Sequence, residues 1–114
     1  MSTAGAQAEQ LAAQYLQRCG LKLLQRNYRC RYGEIDLICQ HDDALVFVEV
    51  RLRSNAAFGG AAASIDARKQ AKLLRSAQHY LSTLPRTPPC RFDAILMQAA
   101  DIHSIEWVKN AFAA

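Results

Sequence analysis

The sequence predicts one α/β or α+β domain, built on a single β-sheet that helices cover. Two segments repeat apolar residues every three or four positions, which is typical of amphipathic helices, and five shorter apolar runs are typical of strands. Their order along the chain is helix, three strands, helix, two strands. The 114 residues fit one domain, residues 1–114, and an apolar fraction of 51% is enough for a core of that size.

The first helix is predicted over residues 3–19. Thr3 is a suitable N-cap, and Gly20 ends the helix, as glycine commonly does. Glu9 lies at the edge of the apolar stripe, so its carboxylate can reach toward whatever the helix packs on. The stripe consists of Ala8, Leu11, Ala12, Tyr15, Leu16 and Cys19.

The second helix is predicted from about Ile65 to Ser82, with Ser64 as its N-cap and Asp66 in its first turn. The prolines of "TLPRTPPC" end it. Strands are predicted at about residues 21–30, 34–40, 45–53, 90–98 and 102–109. Regular alternation would put Glu34, Asp36 and Ile38 on one face of the second strand and Ile35, Leu37 and Cys39 on the other. Because the second and third strands carry apolar residues on both faces, both faces of the sheet should be covered.

Charge and cysteine usage narrow the class of protein only slightly. Lys and Arg number 14 against 10 Asp and Glu, a net charge of +4 that suits an anionic partner but also many other soluble proteins. No apolar run approaches the ~20 residues that cross a bilayer, and the first residues lack a signal-peptide pattern. Reduced, mostly buried thiols of a cytoplasmic protein are expected for Cys19, Cys30, Cys39 and Cys90. A zinc site formed by Cys30, Cys39, His41 and Cys90 is disfavoured, because close-spaced ligand pairs are missing.

Charged residues interrupt the apolar runs of "GEIDLICQHDDALVFVEVRL", from Gly33 to Leu52. A turn centred between Asp42 and Asp43 would place Asp36 opposite Glu49, and Glu34 opposite Arg51. The second pair is a sensible ion pair, whereas the first opposes two carboxylates. Either one carboxyl holds a proton, or a divalent cation such as Mg²⁺ or Mn²⁺ binds between them. The alternative is an ion-pair lattice neutralised by neighbouring arginines.

An acid on one strand, a turn and then acid-x-basic on the next strand resembles the PD-(D/E)XK nuclease superfamily. Across nearly the whole chain, "GEIDLI", "LVFVEVR", "FGGAAASIDARKQ", "CRFDAI" and "WVKNAF" resemble the YraN-like family of small bacterial proteins. The resemblance implies a restriction-endonuclease-like α-β-β-β-α-β core, with a mixed sheet flanked by helices. It also implies a metal-dependent endonuclease acting on DNA, with branched or damaged DNA among the candidates. Relatives that resolve Holliday junctions would imply a homodimer.

The same resemblance assigns roles to single residues. Asp36 matches the metal-binding acid, and Glu49 the acid of the acid-x-Lys motif. Glu9 resembles the helical acid that archaeal junction resolvases add to their metal site. Arg51 stands where the motif has lysine, and since arginine stays protonated it can orient water or hold a phosphate but cannot act as a base. The role of Glu34 is open.

The predicted second helix carries a basic stripe, formed by Arg68, Lys72, Arg75 and His79 with Lys69 beside it. Beside an acidic metal site, such a stripe favours contact with a nucleic-acid backbone over a merely solvated face. The predicted nucleic-acid contacts are Arg53, Arg68, Lys69, Lys72 and Arg75. Phe58 is a candidate for stacking on a base or for packing into the core.

Three functions remain open on the sequence alone: a Mg²⁺- or Mn²⁺-dependent endonuclease, a non-catalytic nucleic-acid-binding protein that retains the nuclease fold, and an adaptor whose acids are simply paired. Salt-dependent DNA binding without cleavage would select the second. Absence of both binding and cleavage would select the third.

Overall fold

A computed structural model describes residues 4–52, 65–98 and 101–112 of the chain. The predicted order of elements and the α/β class are confirmed. The elements are α1 (Ala4–Arg18), β1 (Lys22–Cys30), β2 (Gly33–His41), β3 (Ala44–Leu52), α2 (Ala67–Leu81), β4 (Cys90–Met97), a short 3₁₀ helix (Ile102–Ser104) and β5 (Glu106–Phe112). The fifth strand begins later than the predicted residue 102, because Asp101 caps the 3₁₀ helix by accepting the His103 N–H.

The five strands form one mixed sheet in the order β1-β2-β3-β4-β5. β1, β2 and β3 make an antiparallel meander, β4 pairs with β3 in parallel, and β5 pairs with β4 antiparallel. The β2–β3 turn has the predicted centre, since His41 pairs with Ala44 and Leu37 with Val48. Because β3 and β4 are parallel, the chain must cross over the sheet between them, and α2 lies in that connection.

Each face of the sheet has its own core. Under α1, Ala12 and Leu16 pack with Leu37, Val46 and Val48 of the sheet. Under α2, the buried residues include Leu73 and Ala77 of the helix and Ile35, Ile38 and Phe47 of the sheet. The prediction that helices cover both faces is confirmed.

Asp66, and not Ser64, is the N-cap of α2. Its Oδ1 accepts the Lys69 N–H at 2.8 Å, which satisfies one of the backbone donors that an α-helix leaves unpaired in its first turn. Thr3 and Ser64, the caps predicted from sequence, lie outside the described residues. The aspartate fixes where α2 starts and therefore where Lys69 lies relative to the sheet.

All four cysteines are free. Cys39 is buried, Cys30 and Cys90 are half-buried, and Cys19 is exposed, so the expectation of mostly buried thiols is wrong for Cys19. Neither of the helices in the described ranges is long and apolar enough to span a bilayer.

Candidate metal and phosphate site

Asp36 lies where β2 changes its relation to the two faces of the sheet. Ile35, one residue before it, packs in the core under α2, whereas Leu37, one residue after it, packs in the core under α1. Residues two apart share a face in a regular strand, so the backbone turns over at Asp36. On β1, the register places Asn27 opposite Asp36, and Asn27 has a left-handed φ of 53°. The regular alternation predicted for β2 is therefore wrong at this position.

The Asp36 carboxylate is bound to the backbone of β3. Its Oδ2 accepts a hydrogen bond from the Val50 N–H at 2.8 Å. A carboxylate tied to a backbone donor loses rotational freedom, so this bond holds the side chain at the end of the β2–β3 ladder, next to Glu49. Burial raises the pKa of Asp36, and the Val50 N–H opposes that rise.

Glu49 is the most deeply buried acid of the pocket, with only 6% of its surface exposed. It shares the α2-facing side of β3 with Leu45 and Phe47. Burial, and then the neighbouring charge of Asp36, raise the pKa of Glu49 to about 7. The two carboxyls are hydrogen-bonded to each other, with protonated Glu49 as the donor. In the absence of a cation, burial and the charge of Asp36 therefore favour the protonated form of Glu49.

Glu9 brings a third carboxyl to the pocket from α1. Burial raises its pKa, and the charges of Asp36 and Glu34 raise it further. Its Oε1 is buried and has no hydrogen-bond partner. The prediction that Glu9 reaches toward the acids of the hairpin agrees with this placement.

Lys69 reaches the acids from the first turn of α2. Its Nζ lies 3.6 Å from Glu49 Oε2, and its side chain is 32% exposed. The charge of Lys69 lowers the pKa of both Glu49 and Asp36. At 100° per residue, Lys69 lies on the same side of the helix as buried Leu73 and Ser76, and about 90° from the centre of the basic stripe. It therefore belongs to the acid pocket rather than to the exposed stripe beside which the sequence placed it.

Arg51 lines the pocket, and its charge lowers the pKa of Glu49. The ion pair predicted between Arg51 and Glu34 is wrong, because Glu34 Oε2 pairs with Arg29 Nε on β1 at 3.3 Å. Both of those side chains are largely exposed, so their pair adds little stability. Arg51 is consequently available to the pocket.

These side chains meet around an open pocket of about 320 Å³. The lining consists of Gly5, Ala8, Glu9, Glu34, Asp36, Glu49, Val50, Arg51, Leu52 and Lys69. α1 contributes from one side of the sheet and α2 from the other, with the end of β3 between them. A phosphate group entering this pocket would meet two cations and the acid pair together.

Two observations bear on whether a divalent cation fits here. Glu49 Oε2 and Glu9 Oε1 are buried without a hydrogen-bond partner, and carboxylate oxygens are the ligands that Mg²⁺ and Mn²⁺ prefer. Within residues 4–52, 65–98 and 101–112, however, no three His, Cys, Asp or Glu side chains converge closely enough to hold an ion by themselves. The residues fit an ion held by Asp36 and Glu49 that completes its coordination with water and phosphate, as Mg²⁺ commonly does.

The predicted nucleic-acid contacts divide into three groups. Arg68, Lys72 and Arg75 are exposed along one side of α2. Lys69 is turned toward Glu49. Arg53 and Phe58 lie outside the described residues.

A second buried carboxylate, Asp93 on β4, received no role from the sequence. It is 1% exposed, pairs with Arg91 at 3.1 Å, and accepts hydrogen bonds from Trp107 Nε1 at 2.9 Å and the Asn110 N–H at 3.0 Å. Asn110 has a left-handed φ of 53°, so Asp93 stabilises the bulge of β5. The sequence signal that could have revealed Asp93 is an acid inside the apolar run "FDAILM". Because Arg91, Trp107 and the Asn110 N–H together satisfy both carboxylate oxygens, Asp93 has a structural role.

Comparison with known proteins agrees with the sequence pattern. The model of the uncharacterised protein family UPF0102 matches residues 8–97. A UPF0102 protein of Nitrosomonas europaea is 57% identical over 108 residues, which cover 95% of this chain and 92% of that protein. A UPF0102 protein of Methylobacillus flagellatus is 53% identical over the full length of both chains, and one of Cupriavidus metallidurans is 58% identical over 95% of this chain and 79% of its own. The chain therefore belongs to the UPF0102 family, the YraN-like group that its motifs resemble.

Proposed function

We propose that this protein is a divalent-cation-dependent endonuclease acting on DNA, with branched or damaged DNA as its candidate substrates. The observation that carries the proposal is the Asp36–Glu49 pair, in which Asp36 is half-buried and Glu49 buried, and which lines a pocket together with Lys69 and Arg51. A structural pair would be fully satisfied by its neighbours, as Asp93 is. Here Glu49 Oε2 and Glu9 Oε1 have no hydrogen-bond partner.

A bound Mg²⁺ or Mn²⁺ would supply charge stabilisation at the phosphate and a more acidic water. Asp36, fixed by the Val50 N–H, would hold that ion from β2. Glu49 must release its proton before it can hold the ion from β3, because a ligating carboxylate is deprotonated. Glu9 is in position to accept a hydrogen bond from a water bound in the pocket.

The two cations of the pocket would have different tasks. Arg51 presents a planar fork that matches two phosphate oxygens, and it stays charged at any relevant pH. Lys69 offers a compact ammonium beside Glu49, where it can orient a water for attack. In the superfamily motif, the lysine lies two residues after the second acid, where this chain has Arg51. Lys69, from α2, would thus perform the function of that lysine.

Cleavage assays test the proposal directly. The purified protein should nick or cut DNA in Mg²⁺ or Mn²⁺ and not in EDTA, with linear, flapped and four-way-junction substrates compared side by side. Asp36→Asn should lower the rate by more than about 100-fold, because it removes a charged ligand. The control is Asp43→Asn, an exposed carboxylate of the β2–β3 turn. If the wild type, shown to be folded, cuts none of these substrates with either metal, the endonuclease proposal is wrong.

The exposed cations of α2 should carry DNA affinity through the phosphates. We expect the triple change Arg68→Ala, Lys72→Ala and Arg75→Ala to weaken duplex binding. The slope of log affinity against log salt should become shallower by about 0.9 for each phosphate that the variant no longer neutralises. Fluorescence anisotropy over a salt series in EDTA measures both. A matched control replaces three exposed cations elsewhere, Arg18, Lys22 and Arg86, and should leave the slope nearly unchanged.

One observation favours a second candidate, a nucleic-acid-binding protein without catalysis. The described residues contain no preformed set of three metal ligands. Salt-dependent DNA binding by a folded wild type that cuts nothing would establish this alternative. A homodimer, which junction resolution would require, is tested by light scattering of the protein alone and with a four-way junction.

A further inference from the structure

A second pocket of about 420 Å³ lies farther along α2, beside the turn between β1 and β2. It is lined by Tyr32, Arg75, Gln78, His79 and Ser82. The turn is tight, since Cys30 pairs with Gly33. Gly33 has a φ of 139°, which residues other than glycine rarely adopt. A Cβ on Gly33 would lie 3.6 Å from Ser76 Oγ, so the turn packs directly on α2 and brings Tyr32 to the helix.

The aromatic groups of this pocket are held in place. The Tyr28 hydroxyl is hydrogen-bonded to His79 Nδ1, so a ligand would meet the imidazole through Nε2 or through its face. The Tyr32 and His79 rings are 6.3 Å apart at 65°. The guanidinium of Arg31 lies 5.0 Å from the centre of the Tyr32 ring and also donates a hydrogen bond to the Tyr32 hydroxyl at 2.9 Å. A preorganised, cation-backed ring loses little entropy when a flat ligand stacks on it.

The position of this pocket relates it to the acid site. At 1.5 Å per residue, Arg75 lies about 9 Å and His79 about 15 Å beyond Lys69 along the α2 axis. Successive phosphates of one DNA strand are about 3.4 Å apart along a duplex. A strand with that rise, following the basic stripe from the acid pocket, would bring a nucleotide about three to four steps away to Tyr32 and His79, and a more extended unpaired strand would span the distance in fewer steps.

We propose that the Tyr32–His79 pocket binds an unpaired nucleobase of the DNA strand whose phosphate occupies the acid pocket. This rests on the proposed function and names the substrate class as DNA with a single-stranded portion near the cleavage point. Stacking on the Tyr32 ring would supply the affinity, His79 would meet the base at its edge because its ring is inclined at 65° to that of Tyr32, and Gln78 and Arg75 can bond the edge of the base. A paired base cannot enter without leaving its stack, which costs a few kcal/mol, whereas a flap, gap or junction arm presents the base freely.

The test uses the full chain in EDTA, so that binding is measured without cleavage. We expect Tyr32→Ala to weaken binding of an eight-nucleotide single strand by roughly fivefold to 100-fold, while binding of a blunt duplex of the same charge stays unchanged. Tyr32→Phe, which keeps the ring, should retain single-strand affinity. An equal drop in affinity for single strand and duplex would overturn the pocket's role in base binding.

Abasic substitutions locate the stacked base. When one base of the single strand is removed at successive positions, the wild type should lose affinity at one position, and there the effects of the abasic site and of Tyr32→Ala should not add. Full additivity at every position would overturn the proposal. Gln78→Ala, an exposed change that leaves the fold alone, should alter the preference among the four bases at that position. If the wild type binds no DNA in EDTA, both this proposal and the proposed function fail, whereas binding that is indifferent to Tyr32 removes the pocket alone.

Discussion

Glu49→Gln should make the metal-free protein more stable than the wild type at pH 8, and its melting temperature should stay flat where that of the wild type declines. The wild-type carboxyl has a folded pKa of about 7, raised by burial and by Asp36 from an ordinary value of 4.5. The folded state therefore binds more protons than the unfolded state between about pH 4.5 and pH 7. Stability must fall as pH rises through that window, by roughly 3 kcal/mol in total.

Melting temperatures from pH 4 to pH 9 in EDTA measure this effect. Glutamine keeps the shape of protonated Glu49 and can donate to Asp36 at any pH, so the decline between pH 4.5 and pH 7 should largely disappear in the variant. Asp43→Asn is the matched control, because it removes an exposed carboxylate of the same hairpin, and it should retain the wild-type decline. A wild type whose stability rises through this window would contradict the buried proton.

Binding of a divalent cation should restore the stability that the wild type loses at alkaline pH. An ion that displaces the Glu49 proton binds only the folded state, so Mn²⁺ or Mg²⁺ should raise the wild-type melting temperature at pH 8 more than at pH 5. Glu49→Gln should lose most of that rise. An equal rise in both proteins would place the ion elsewhere.

Lys69→Ala should lower cleavage by roughly 100-fold or more, the usual contribution of a group that positions or deprotonates a reacting water. Arg51→Lys should keep or raise activity, because it retains the charge and restores the residue of the superfamily motif. Arg51→Ala should lose most of it. The reason for the contrast is position: Lys69 Nζ lies 3.6 Å from Glu49 Oε2, while Arg51 lines the pocket and contributes its charge there.

Single-turnover rates, duplex affinity and melting temperature should be measured together for each variant. Lys72→Ala is the control, an exposed lysine of the same helix that should weaken binding without changing the rate at saturating protein. Lys69→Arg separates two roles, since arginine supplies charge but cannot release its proton. If Lys69→Ala is folded and fully active, Arg51 and not Lys69 performs the function of the lysine in the superfamily motif.

The order of elements and the β2–β3 register could be predicted because both depend on local patterns: apolar periodicity and a two-residue turn at Asp42 and Asp43. The position of Lys69 could not be predicted from such local patterns. Whether a residue flanks the basic stripe or points to the sheet depends on which side of α2 is buried. That side comprises Leu73, Ser76 and Ala77, whereas Ala67 and Ala71 are exposed.

The same limit explains the two errors in the hairpin. β2 reverses its faces at Asp36 because a side chain, and not a neighbouring carbonyl, accepts the Val50 N–H. Strand alternation assumes that backbone groups pair with backbone groups. Glu34 pairs with Arg29 because β1 lies along β2, which a two-strand register does not include.

The parallel pairing of β3 with β4 has a consequence for how the acid pocket comes into being during folding. The three-strand meander joins residues close in sequence, whereas Leu45 and Cys90 are partners about 45 positions apart, so we expect their pairing to form late. Until α2 packs on the sheet, Glu49 would remain hydrated on the uncovered side of β3. The segment that then covers it, α2, also brings Lys69. Dehydration of the acid and arrival of its countercharge are thus one event, so the nascent chain never has to bury that acid alone.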